Sequence, residues 1–327
     1  MERILVTGAN GFVGSHLTAA LVQRGYQVRC MVRKTSDLRH IQSLPVEWAF
    51  ADLTPGPALR QACEGVDAVC HCAALTRALD EETFFQVNAQ GAEALARHCL
   101  EVRPDLQRFL FVSSLAAAGP SRHADDVIGE EDEPRPITWY GKSKLAAERL
   151  LQQMDGRLPL TIVRPAAVFG PRDRDFLTYF EVVKHRLRLR LGRHERWASL
   201  IYVKDLIDLI VRALESPQAL GQTYFGTAYA VTYEMLDDAI ARALHKRTIP
   251  VTVPEAALTP IALWADIQGK LTGRPALLND QRVLDLRQCY WLCSGEKARA
   301  ELGFSPQVDF DRAVDETAAW YLENGWL

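Results

Sequence analysis

The chain has 327 residues, 48% of them hydrophobic and 24% charged, the composition expected of a soluble globular enzyme with one large domain or two interleaved ones. A net charge of −3 gives no global steering toward nucleic acid or anionic membranes, and no run reaches the ~18 apolar residues of a membrane span. The opening MERILVTGAN lacks the apolar run of a signal peptide, and seven cysteines form an odd set without a small-domain disulfide pattern. A cytoplasmic protein with reduced thiols is therefore expected, with a small-molecule substrate and neither nucleic acid nor membrane as partner.

In chain order, Arg3–Thr7 reads as a buried strand and Gly14–Arg24 as a helix that Gly25 closes. Strand Gln27–Val32 follows, then strands Glu47–Ala51 and Ala68–Cys72 with a helical segment Ala58–Glu64 between them. Glu82–Val102 reads as one long helix, Phe109–Ser113 as a strand, and a helix from Tyr140 through Leu151 leads to strand Leu160–Arg164. Strands alternating with helices at this spacing are βαβ units. The fold class is α/β, a Rossmann-type doubly wound parallel sheet. Beyond Arg164 the pattern loosens: Pro165–Asp175 reads as loop and Phe176–His185 as helix. Arg186–Leu191 alternates Arg and Leu, as a short half-buried strand would. Leu200–Glu215 is helical after its first few residues, Gln222–Thr227 is strand-like, and 233–246, 255–271, 294–302 and 310–323 read as helices. The expected organisation is a Rossmann domain over 1–165, re-entered around 200–230, with 166–327 mainly a smaller substrate lobe.

Val6-Thr7-Gly8-Ala9-Asn10-Gly11-Phe12-Val13-Gly14 joins the first strand to the first helix. Glycines 8, 11 and 14 suit a tight turn, a close backbone approach to a pyrophosphate and close helix–strand packing, and the helix N-terminus offers free N–H groups to phosphate. Three glycines in such a turn are otherwise merely structural, but strand before and helix after meet the context of a dinucleotide site. NAD-binding domains usually place a carboxylate at the end of the second strand. Here Cys30-Met31-Val32-Arg33-Lys34-Thr35-Ser36 has none, and Arg33 with Lys34 suits a 2′-phosphate, so NADP is preferred with NAD as the alternative. The plainer reading of Arg33 and Lys34 is a pair of solvated loop charges.

Trp139-Tyr140-Gly141-Lys142-Ser143-Lys144 contains Tyr-x-x-x-Lys, whose phenol and ammonium share a helix face. A neighbouring ammonium favours the phenolate of a tyrosine whose ordinary pKa is ~10. The motif alone is common, but it follows Ser114, at the end of a strand expected to be central, by 26 residues. Ligands in open α/β sheets bind beyond that strand end. Ser114 can hydrogen-bond the substrate oxygen, with the adjacent Ser113 as its rival.

Taken together, these features resemble the extended short-chain dehydrogenase/reductases, as do His71-Cys72-Ala73-Ala74, Asn88, Arg164-Pro165-Ala166-Ala167-Val168-Phe169-Gly170-Pro171, Ile201-Tyr202-Val203-Lys204-Asp205 and Glu301-Leu302-Gly303-Phe304-Ser305-Pro306. The resemblance implies Ser114, Tyr140 and Lys144 as catalytic residues. It implies cofactor contacts from Gly8, Asn10, Gly11, Phe12, Val13, Gly14, Arg33, Lys34, Asp52, Leu53, Cys72, Ala73, Ala74, Tyr140, Lys144 and Pro165, with Asp52 toward the adenine amino group or simply starting a turn. It also implies a homodimer through helices 82–102 and 140–151.

Fold does not settle the reaction. Related dehydratases carry an Asp-Glu pair after the catalytic Ser/Thr, where this chain has Leu115 and Ala116. Related sugar-nucleotide epimerases grip a diphosphate with an Arg where this chain has Ala198, although Arg196 lies nearby. The stretch 28–33 and Ser113-Ser114 resemble dihydroflavonol-reductase-like and 3β-hydroxysteroid-dehydrogenase-like members. The expectation is an NADP(H)-dependent oxidoreductase interconverting a carbonyl and an alcohol. A nucleotide-sugar epimerase is the alternative, and a non-catalytic cofactor-binding protein a third reading. No metal is expected: Cys70-His71-Cys72 alternates across a strand. Arg-rich 184–196 is read as a solvated strand face, the late tryptophans 264, 291 and 320 as core, and Asp125–Arg135 as a lid.

Overall fold

The structure, a computed structural model, describes residues 1–154, 156–272 and 279–327. Thirteen strands are described: β1 Arg3–Thr7, β2 Gln27–Val32, β3 Glu47–Phe50, β4 Ala68–His71, β5 Arg108–Val112, β6 Leu160–Pro165, β7 Ala167–Phe169, β8 Leu187–Leu191, β9 Trp197–Tyr202, β10 Thr223–Gly226, β11 Tyr229–Thr232, β12 Ile249–Val253 and β13 Tyr290–Trp291. Seven of them form one parallel sheet in the order β10-β6-β5-β4-β1-β2-β3. The strand order reverses between β1 and β4, the switch point at which such sheets bind ligands. β4, β5 and β6 are buried along their whole length, as a parallel strand covered on both faces must be.

The helices are α1 Phe12–Gln23, α2 Pro57–Cys63, α3 Glu81–Phe84, α4 Gly91–Val102, α5 Leu115–Ala118, α6 Trp139–Gln152, α7 Leu177–Lys184, α8 Val203–Glu215, α9 Tyr233–Ala243, α10 Glu255–Thr272, α11 Asp280–Arg287, α12 Glu296–Leu302 and α13 Phe310–Glu323. One apolar cluster joins Val6, Cys30 and Leu110 to α1 and α8; the other joins Val69, Phe109 and Phe111 to α2, α4 and α6. Each strand therefore feeds two cores through its alternating residues.

Several local expectations change. Pro165–Asp175 is not all loop, because Ala167–Phe169 pairs in parallel with Leu200–Tyr202. The long helix at 82–102 is interrupted by a π-helical turn, Phe85–Gln90. β8 forms where expected, but it is mostly exposed, and its partner β12 lies far away in sequence. Trp264 is 62% exposed rather than core. The stretch Asp125–Arg135 is tied down: Ile128 bridges Cys293, and the Glu130 carboxylate accepts the Phe225 N–H at 2.8 Å.

The turn after β1 is closely packed. Gly8 has φ of +64°, and a Cβ there would lie 2.8 Å from the Ala73 backbone. Gly14 has ordinary helical geometry, yet a Cβ on it would sit 2.1 Å from the Gly8 carbonyl oxygen. By contrast Gly25, at φ of +85°, has nothing within 4 Å of a Cβ. Gly14→Ala should thus lower stability well beyond the ~1–2 kcal/mol cost of a left-handed alanine in Gly25→Ala, as read by urea unfolding. Equal losses would mean that the β1–α1 contact is not tight.

Candidate active site

Most of the residues expected to meet a cofactor lie at one edge of the sheet, at or just beyond the carboxyl ends of its strands. Gly8, Asn10 and Gly11 follow β1; Arg33 and Lys34 follow β2; Asp52 and Leu53 follow β3; Cys72, Ala73 and Ala74 follow β4; Ser114 follows β5, and Pro165 ends β6. Gly11 is the N-cap of α1, with no side chain capping the first turn, and Phe12 and Val13 begin the helix. The β1–α1 turn is thus a backbone cradle that a Cβ would fill, and it fits the pyrophosphate of a dinucleotide. Beside it, the Thr7 hydroxyl lies 2.6 Å from His71 Nδ1 and accepts the Ala73 N–H at 3.2 Å. Burial, with the Lys144 charge, pushes the His71 pKa down to about 3, so the imidazole is neutral. Its ring stacks on Phe111, while Cys70 joins the opposite core, so the Cys-His-Cys run does not converge on one point.

Arg33 and Lys34 are exposed and make no ion pair among the described residues. The Asp52 carboxylate accepts the Thr54 N–H at 2.9 Å, the turn-forming role set beside adenine binding. Leu53 packs on the start of α4, where a Cβ at Gly91 would meet it at 2.8 Å.

The catalytic candidates converge through α6. Thr138 caps this helix by accepting the Gly141 N–H at 3.1 Å. A Cβ at Gly141 would lie 2.2 Å from the Ala116 carbonyl oxygen, so the start of α6 rests on α5 and brings Tyr140 beside Ser114. The two serines separate cleanly. Ser114 faces the phenol, whereas Ser113 donates to the Glu148 carboxylate in the interior. Lys144 is 1% exposed; its ammonium donates to the Val112 carbonyl at 2.7 Å and lies 4.1 Å from the Phe111 ring centre. The π-helical turn points Asn88 inward, where its amide grips both backbone groups of Leu75 and donates to Ser143 Oγ at 3.0 Å.

The electrostatics differ from the simple expectation that Lys144 acidifies the phenol. Burial pushes the Tyr140 pKa up to about 12; the Ser114 hydrogen bond opposes this, and Asp175 and Asp285 add to it. Burial also pulls Lys144 down to about 7, with the Glu148 charge opposing. Both shifts favour neutral forms, since the low-dielectric site penalises charge. Reduced dinucleotide bound at this edge would supply hydride, and the oxidised form would supply a cationic ring, the charge that would bring the phenol back down.

Glu148 and Arg164 are the parts that motif reading left unassigned. Arg164 Nε and Nη2 donate to the two Glu148 oxygens at 3.0 and 2.6 Å, with side chains 7% and 1% exposed. Glu148 lies four residues past Lys144 on the same helix, a spacing that marks it as sharing the Lys144 face. Asp285 was also missed, because its helix, α11, carries a weak apolar pattern. That helix packs Val283 on α10, and its Gln281 side-chain Oε1 accepts the Trp139 backbone N–H at 2.9 Å. Glu148→Gln should cost ~3–5 kcal/mol of stability, because Arg164 would be left a buried unpaired charge. It should also move the Lys144 titration to lower pH; an unchanged urea midpoint would refute the buried pair.

The sequence matches the NAD dependent epimerase/dehydratase family over residues 4–227. It is 36% identical to sterol demethylase protein B of Methylococcus capsulatus over 334 residues, covering 99% of each chain. It is 27% identical to ceramide reductase of Caulobacter vibrioides, covering 99% of this chain and 96% of that one. The crystal structure of gox2253 superposes with a TM-score of 0.82 at 27% identity, with 99% of both chains covered. With the glycine turn, the parallel sheet and the Ser114–Tyr140–Lys144 cluster on one edge, the chain belongs to the NAD dependent epimerase/dehydratase family, among the extended short-chain dehydrogenase/reductases.

Proposed function

We propose that the protein is an NADP(H)-dependent oxidoreductase that interconverts an apolar ketone and its alcohol. Ser114 holds the substrate oxygen, Tyr140 exchanges the proton with it, and Lys144 keeps positive charge beneath the phenol. The observation that carries this reading over the epimerase one is the state of Arg196. That residue is 4% exposed; its guanidinium donates to the Leu286 and His194 carbonyls at 3.1 and 3.3 Å and to Glu255 at 2.7 Å. It cannot take over the diphosphate grip that Ala198 lacks. Near Tyr140, Asp175 is paired with Arg77 and Asp285 lies 3.7 Å from Arg282, which leaves no surplus cation for a nucleotide diphosphate among these four residues. The Phe84 ring, 6.4 Å from the Tyr140 ring, supplies an apolar wall. Similarity to proteins named for ceramide and sterol chemistry supports a neutral, lipid-like carbonyl. Leu115 and Ala116, where dehydratases have acids, leave elimination without its acid–base pair.

The same reading includes NADP over NAD through Arg33, and a homodimer on the outer faces of α4 and α6, for which sedimentation at the monomer mass would be the contrary result. A further part is a cytoplasmic location. No described helix is long and apolar enough to cross a membrane.

Purified protein should consume NADPH with a panel of apolar ketones, and Tyr140→Phe should lower kcat/KM by a factor on the order of 10²–10⁴. Full activity in that variant would refute the proton role. The reductive kcat/KM should be flat at low pH and fall as pH rises through about 7, where Lys144 loses its charge. Persistence of full activity to pH 9 would contradict this. Arg33→Ala should raise the KM for NADPH by roughly 10–100-fold, the worth of one charge-assisted hydrogen bond of ~1.5–3 kcal/mol, and leave NADH unchanged. A parallel rise for both cofactors would remove the 2′-phosphate contact.

A further inference from the structure

Away from the cleft, β8 and β12 form a two-stranded parallel ribbon in register, Leu187 beside Ile249 and Leu189 beside Val251. Its two faces differ completely. One is polar: Arg188 is ion-paired with Glu234 and Asp238, and Arg190 with Glu234, both acids lying on α9. The other is apolar and largely open, with Leu187 39%, Leu189 47%, Ile249 66% and Val251 39% exposed. Only its far end is covered, where Leu191 packs on Leu258 and Ala262 of α10. Parallel sheets are ordinarily covered on both faces, so this bare face lacks a partner. α10 also presents Leu263 and Trp264 to solvent, both 62% exposed.

The rim of the ribbon is cationic. Both strands run the same way, so the residues leading into them meet at one end: Lys184 and Arg186 before β8, Lys246 and Arg247 before β12. All four are exposed, and none makes an ion pair among the described residues. Arg186 and His245 hold φ of +60° and +52°, positions where glycine would be less strained. The net charge of −3 therefore conceals a local excess of positive charge beside an apolar face.

We propose that this face docks the protein onto the surface of an anionic lipid bilayer, as a peripheral contact that spans nothing. The aliphatic side chains enter the interface and the cations meet lipid phosphates. A second copy of the chain would bring its own cations to the same face, which charge complementarity disfavours. Nothing in this placement depends on which carbonyl is turned over.

The test is co-sedimentation of the full-length protein with vesicles of phosphatidylcholine alone or with one part in three of phosphatidylglycerol. The protein should bind the anionic vesicles at least tenfold more tightly, and high salt should release it. The double variant Leu189→Glu with Val251→Glu should lose at least tenfold in vesicle affinity. Arg186→Gly combined with Lys246→Gln and Arg247→Gln should fall to the level seen on phosphatidylcholine alone. Arg186→Gly relieves backbone strain, so that variant should fold; NADPH binding and thermal midpoint, measured on every variant, identify any that do not. No vesicle binding by the unaltered protein, binding that survives either set of substitutions in folded variants, or a dimer that Leu189→Glu dissociates in a protein indifferent to vesicles would each overturn the proposal.

Discussion

A single buried carboxylate sets the geometry on which the rest of the site depends. Glu148 accepts from Nε and Nη2 of Arg164 on β6 and from the hydroxyl of Ser113, the residue after β5, and thereby fixes the register of α6 over the two strands. Lys144 lies one turn earlier and Tyr140 two turns earlier on that helix, so the clamp also decides where the phenol and ammonium stand relative to Ser114. A buried ion pair is poor evidence of stability in itself, since an apolar replacement often does as well. Its value here is positional and electrostatic: the Glu148 charge is what limits the fall in the Lys144 pKa.

The second constraint is burial. It pushes Tyr140 up and Lys144 down, so the two groups are poised near neutral forms, with small changes of nearby charge able to move them. His71 is held neutral by the same cause and bound to Thr7, which ties the end of β4 to the end of β1. The glycine turn rests on that junction, through the contact of Gly8 with Ala73. The glycine turn and the Ser114–Tyr140–Lys144 cluster are therefore two parts of one sheet edge.

Much of this was legible in the chain itself. The first six strands have a hydrophobic period or run that their neighbours do not disturb, and the glycines, Ser114, Tyr140 and Lys144 sit at spacings set by that scaffold. The rivalry of Ser113 and Ser114 was not decidable from alternation alone, because it needed the location of Glu148. β7, β11, β12 and β13 are two to five residues long and owe their existence to distant partners, so no local pattern announces them. Asp285 and Gln281 were invisible for the same reason, since α11 is held by packing Val283 on Leu258 and Ala262 of α10 and by the Trp139–Gln281 hydrogen bond rather than by its own amphipathicity. The role of Arg196 also required coordinates, because sequence proximity to Ala198 suggested a free cation and the structure gives a committed one.

The central claim is net hydride transfer between a bound dinucleotide and a carbonyl carbon, with Tyr140 handling the proton. The most direct measurement uses NADPH carrying deuterium at the transferable C4 position, with mass spectrometry of the released product and a count of oxidised cofactor. The account predicts an alcohol bearing one deuterium on its carbinol carbon for every NADP⁺ formed. A stereoinverted product with no deuterium and no net change in cofactor would contradict it and establish an epimerase.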